Sequence, residues 1–200
     1  MKHILQAAAV VFLMLSFIPE GRCIVMLEMS LEEITSDADA VIRGRVAGQY
    51  SEWNENKTLI STVVTVDVLE CFKGSPKEAV KMRLPGGEIG AVGQKAVGVP
   101  VFKTGDEAIL FLGKNDGMWD LIGYGQGKFT IEKNDSSGGE QFVVNDYSGI
   151  LMVGKDKSKS AAAEKDKGII FRMKLSDFKA ELKNLIGKQQ MEKDSKKEGK

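Results

Sequence analysis

From Ile60 to Phe72 this 200-residue chain alternates side-chain character with a period of two, and that pattern restricts it to a β-rich fold. Ile60, Thr62, Val64, Val66, Val68 and Phe72 share one face, while Ser61, Thr65 and Asp67 alternate with them. Lys73-Gly74-Ser75-Pro76 ends the segment with turn residues. The same rhythm recurs on both sides. Ala40, Ile42, Gly44, Val46, Gly48 and Tyr50 form one face opposite Arg43 and Arg45, and Val80, Met82 and Leu84 repeat it with Lys81 and Arg83 outward. Each strand so patterned needs a partner along its edges and a layer against its apolar face.

Further strands are expected at Ala108–Leu112, which is apolar on both faces, and at Trp119–Leu121, joined through Asn115-Asp116-Gly117 as a hairpin. Phe129 with Ile131, and Phe142 to Val144, make two more. Residues 86–99 hold five glycines and read as a flexible loop. Two helices flank the strands. Ser30-Leu31-Glu32-Glu33 fits a capping box, so a short helix starts there, with Met29 and Ile34 as its staple. Phe178, Leu182, Leu185 and Ile186 form an apolar stripe that predicts a second helix from Ser176 to about Lys188, with Gly187 as its stop. Five or six short strands with two small helices predict a mainly β fold: a small antiparallel OB-like barrel with a short N-terminal helix and a C-terminal amphipathic one.

The ends suggest the compartment. Lys2 and His3 precede an apolar run from Ile4 to Ile18, broken by Pro19, Glu20 and Gly21, which is the layout of a secretory signal peptide. Gly21-Arg22-Cys23 is the best-fitting cleavage site. The expected organisation is a signal peptide over 1–23, a β-barrel domain over 24–153, a flexible linker over 154–168, a helical segment over 169–188 and a disordered tail over 189–200. The mature protein is expected outside the cytoplasm, periplasmic or extracellular, with no transmembrane segment once the leader is gone.

Charge and residue types exclude several functions. The chain is neutral overall, but residues 24–154 carry 12 basic and 19 acidic residues, a net of −7, and residues 155–200 carry 14 and 8, a net of +6. An acidic body gives no footing for nucleic acid. The single histidine, His3, lies within the leader, so the mature chain cannot build a histidine-based triad or a histidine-ligated zinc site. No cofactor motif is present. Cys71 falls opposite Val64, Val66 and Val68 by parity, which predicts a buried, inert, structural thiol beneath a helix.

Ser36-Asp37 with Ala40-Val41-Ile42-Arg43-Gly44-Arg45-Val46 resembles the opening of a family of exported bacterial proteins without an assigned activity. Cys71-Phe72-Lys73-Gly74, Pro85-Gly86-Gly87-Glu88, Gly105-Asp106-Glu107 with Ile109–Leu112, and Gly125-Gln126-Gly127-Lys128-Phe129 resemble its later blocks, over roughly residues 30–132. The strand-loop-strand ending in Phe72-Lys73-Gly74 is also similar, more remotely, to the netrin-type OB barrel of the tissue inhibitors of metalloproteases. That likeness implies a binding module on an OB barrel. It does not carry the inhibitory activity, because the inhibitors' cysteine framework is missing.

Two segments mix the chemistry that ligands need. Gly86, Gly87 and Glu88 open the glycine-rich stretch, whose backbone N–H groups could cradle an anion, although no phosphate-loop spacing is present. Tyr124, Gln126 and Lys128 place an aromatic ring, an amide and a cation beside flexible backbone; this suits a sugar or peptide, and a simple strand bend would read the same way. The acidic residues near turns lack a calcium-loop spacing. The expected function is a non-catalytic binding module for a protein or extracellular polymer. The alternatives are a hydrolase working through carboxylates, drawn from Glu28, Glu32, Glu33 and Glu88, and a purely structural envelope protein.

Overall fold

The computed structural model describes residues 25–134, 139–146, 151–153 and 170–198. The expected signal peptide and linker lie outside the described residues. In chain order the elements are β1 (Val25–Leu27), α1 (Leu31–Asp37), β2 (Ala40–Trp53), β3 (Ile60–Lys73), β4 (Ala79–Pro85), β5 (Gly87–Ile89), β6 (Val92–Gln94), β7 (Glu107–Asn115) and β8 (Met118–Leu121). A 3-10 turn (Tyr124–Gly127), β9 (Lys128–Asn134), β10 (Glu140–Asp146), β11 (Leu151–Val153), β12 (Ile170–Lys174) and α2 (Leu175–Glu198) follow.

The protein is mainly β, built on one curved sheet of order β12-β10-β9-β7-β2-β3-β4-β8 that partly closes into a ring. Closure comes from β8, which pairs antiparallel with β7 and meets β4 in a parallel contact at Met82 and Trp119. Asp116 and Gly117 both have positive φ between the paired Asn115 and Met118, the backbone that a two-residue hairpin loop requires.

Alternation sends apolar side chains to both faces of the sheet. Ile42, Val64, Val66, Met82, Leu110 and Leu112 fill the inside of the ring together with Phe102. Val41, Ile109, Phe111, Phe129 and Val143 point the other way and are covered by Ile34 of α1 and by Leu175, Phe178 and Leu182 of α2. This explains why β7 reads as apolar on both faces.

The first helix forms as its sequence predicts. Ser30 Oγ accepts from Glu33 N at 3.2 Å, and Glu33 Oε2 accepts from Ser30 N at 3.0 Å. The second differs at its end. It continues through Gly187 to Glu198, so residues 189–198 are helical where a disordered tail is expected. One glycine costs only about 1 kcal/mol in a helix, and the residues after it are mostly good helix formers, so Gly187 does not stop it.

Two further expectations are corrected. Residues 86–99 are not all loop, since β5 and β6 form a two-stranded ribbon with Gly87 opposite Gln94. Cys71 is exposed rather than buried beneath a helix. The register against β2 shifts between Arg43 and Gly44, whose partners are Glu70 and Val68, leaving Leu69 as an extra residue. Such a bulge reverses side-chain parity downstream, so Cys71 stands opposite Ile42 and Phe72 turns to the helix-covered core.

Candidate functional site

Pro85-Gly86-Gly87 takes the chain off the end of β4. Gly86 has a φ of +91° and Gly87 one of +144°, conformations that side chains rarely adopt. A Cβ on Gly87 would stand 2.5 Å from both Ser51 Oγ and Thr62 Oγ1, so only glycine lets β5 lie this close to β2 and β3. Polar side chains lock the junction. Thr62 Oγ1 donates to Gly86 O at 2.8 Å, and Glu88 N donates to Ser51 Oγ at 3.3 Å. Gln94 bridges back to the β2–β3 hairpin, accepting from Ile60 N at 2.6 Å and donating to Thr58 O at 2.9 Å.

The ribbon and the loop after it enclose an open cleft of about 680 Å³. Gln49, Tyr50, Ser51 and Thr62 line it on the hairpin side, Gly86, Gly87 and Glu88 at the ribbon, and Lys95, Val99, Pro100, Val101 and Phe102 along the loop. Its rim is apolar and uncovered: Val101 is 75% exposed and Tyr50 53%. Phe102, by contrast, is buried and ties the loop to the core inside the ring. Among the described residues, the side chains of Gln49, Tyr50, Glu88 and Lys95 make no hydrogen bond or ion pair within the protein, whereas those of Ser51, Thr62 and Gln94 are already engaged.

The sequence-predicted residues thus divide. Gly86, Gly87 and Glu88 line the cleft; Tyr124, Gln126 and Lys128 do not. Lys128 Nζ donates to Val101 O at 2.6 Å and lies 4.5 Å from the centre of the Phe102 ring, and Gly125 N donates to Gly98 O at 2.9 Å. The Tyr124–Lys128 segment therefore braces the loop wall from behind. Burial lowers the Lys128 pKa below its ordinary value; nearby Asp106 opposes this and Lys103 adds to it. Gln126 is buried and structural. Its Oε1 accepts from Met29 N at 2.8 Å and its Nε2 donates to Leu27 O at 3.1 Å, which fastens the segment before α1. Tyr124 is exposed and holds a φ of +50°, unusual for a bulky side chain.

Tyr50, Lys95, Val101 and Phe102 are among the lining residues to which the sequence pattern gave no ligand role. Exposed Val101 follows Pro100 at the end of a glycine-rich run, a signal too common to stand alone. Elsewhere, Glu107 is held below the ordinary carboxylate range chiefly by its hydrogen bond from Arg45, at 2.6 Å, with a second from Arg43 at 2.7 Å; partial burial opposes them. Glu107, Arg43 and Arg45 are not among the cleft's lining residues. The Cys71 thiol is raised by partial desolvation, against a weaker lowering by its hydrogen bond to Lys73, so exposure does not make it a ready thiolate. Among the described residues no group of His, Cys, Asp and Glu is arranged to hold a metal ion, and no helix is long and apolar enough to cross a membrane.

Compared with known proteins, the chain matches no protein-family model and no curated protein sequence.

Proposed function

We propose that this protein is a non-catalytic binding module, exported from the cytoplasm, whose ligand site is the cleft between the β2–β3 hairpin, the β5–β6 ribbon and the loop through Phe102. The observation that carries this is the exposed apolar rim beside uncommitted polar groups. Val101 and Tyr50 face solvent at the mouth of a volume within the roughly 300–1,000 Å³ typical of ligand sites. Exposed apolar surface collected around one concavity marks an interaction site more often than scattered exposed residues do.

The OB-like barrel belongs to the same reading. The ring order β2-β3-β4-β8-β7, with one parallel contact between its third and last strands in sequence, supports it. So does the remote similarity of the strand-loop-strand ending in Phe72-Lys73-Gly74 to the netrin-type OB barrel, while the resemblance of residues 30–132 to a family of exported bacterial proteins and the leader-like run from Ile4 to Ile18 support export. Glu88 is the one carboxylate among the cleft-lining residues, whereas glycoside hydrolysis through carboxylates needs two about 5–9.5 Å apart.

The test is incubation with panels of oligosaccharides and linear peptides, read by saturation-transfer NMR for binding and by mass spectrometry for cleavage. Binding without products, lost in Val101→Asp, is the expected result. Cleavage products that disappear in Glu88→Gln would overturn the reading in favour of a hydrolase.

A further inference from the structure

We propose that the cleft takes an extended segment of a partner protein, seating an aliphatic or proline side chain against the loop wall and charged neighbours against Glu88 and Lys95. This rests on the reading of the cleft as the ligand site and adds the class of ligand. The wall chemistry separates a peptide from a polysaccharide. Pro85, Ala96, Val99, Pro100 and Val101 make the accessible apolar side of the cleft, and all are aliphatic or proline. Sugars stack on exposed aromatic faces, and of the two lining aromatics only Tyr50 is exposed, Phe102 being 2% accessible. Aliphatic walls instead match aliphatic side chains, which bury area without any directional requirement.

The hydrogen-bonding inventory agrees. A polysaccharide presents hydroxyls at every position and needs a dense set of planar polar side chains. Here Ser51, Thr62 and Gln94 already hold the ribbon to the hairpin, which leaves Gln49, Glu88 and Lys95 beside the Tyr50 hydroxyl. One free carboxylate and one free ammonium favour a segment with charges of both signs flanking its apolar anchor.

The backbone offers a further contact. Among the described strands β6 pairs with β5 alone, so its outer edge is unpaired, and it runs into the lining residues Gln94, Lys95 and Ala96. An extended peptide can add to such an edge through main-chain hydrogen bonds and send alternate side chains into the cleft. A sugar chain cannot.

The experiment uses the full chain and a positional-scanning library of linear hexapeptides, read by fluorescence anisotropy, with cellohexaose and chitohexaose as the oligosaccharide probes. Selected peptides should share one aliphatic or proline position with a basic and an acidic neighbour. Val101→Asp should weaken their binding at least tenfold. Glu88→Lys should exchange the preference for the basic neighbour with one for an acidic neighbour. Both positions are exposed, and thermal melting of each variant checks that it folds. If the peptides show no preference while an oligosaccharide binds and is lost in Val101→Asp, the peptide assignment is overturned and the cleft reading stands. If peptides bind wild type and both variants equally, or no probe binds at all, both are overturned.

Discussion

Phe178→Ala tests how the outer core is held. Phe178 is fully buried on α2, with its ring 4.8 Å from that of Phe129 and 6.0 Å from that of Phe171. Truncation of a buried phenylalanine costs about 3–5 kcal/mol in lost transfer energy and cavity. Aromatic pairs of this kind are each worth about 0.5–1.5 kcal/mol beyond area burial, and part of that is already within the first figure. A loss of about 4–5 kcal/mol follows. Lys183 on the same helix is exposed, so Lys183→Ala serves as the control and should stay within about 0.5 kcal/mol. Urea denaturation of both variants measures the difference, and hydrogen exchange at residues 176–186 reports whether α2 detaches before the sheet opens. If Phe178→Ala costs no more than Lys183→Ala, α2 does not cover the sheet in solution, and the outer core described above is wrong.

Gln126→Ala leaves Met29 N and Leu27 O without their side-chain partner; it should cost about 1–3 kcal/mol and speed amide exchange at Met29, while peptide binding at the cleft is kept. Glu107→Gln should cost about 1–2 kcal/mol at pH 7, from charge-assisted hydrogen bonds to a carboxylate that is 17% exposed. Because folding lowers the Glu107 pKa from its ordinary 4.5, that stability is present above about pH 4.5 and is lost as pH falls through the lowered folded value; the gap between wild type and variant should therefore close on acidification, and a constant gap from pH 7 to pH 2 would contradict this. Native Cys71 should label completely with a maleimide, at a rate no faster than an unstructured thiol at neutral pH, and Cys71→Ser should shift stability by less than about 0.5 kcal/mol.

Strand positions were legible because period-two alternation is a local property. The faces of Ile60 to Val68 and of Val80 to Leu84 read correctly, as did the Ser30 capping box, whose partners lie three residues apart. What failed is what depends on other elements. Cys71 parity was lost to a bulge that exists only in the register of β3 against β2. The β5–β6 ribbon was hidden because its glycines are required by contact with Ser51 and Thr62, residues far away in sequence. Gln126 and Lys128 were singled out for polarity in a glycine-rich setting, yet that polarity serves Leu27, Met29 and Val101 within the fold. Half of the candidate site, Gly86 to Glu88, came from the same kind of reading and does line the cleft. Composition alone could not separate the two groups, because a buried amide and a ligand-binding amide look identical in sequence.

Ligand binding in the cleft would show in a map of backbone amide shifts. Uniformly 15N-labelled protein titrated with a library-selected hexapeptide should show its largest changes at Gln49–Ser51, Gly86–Glu88 and Lys95–Phe102. Amides of α2 and of β12, on the far end of the sheet order, should stay within error. Shifts centred on β12 or on the exposed end of α2, with the cleft unmoved, would put the ligand elsewhere and rule out the cleft as its site.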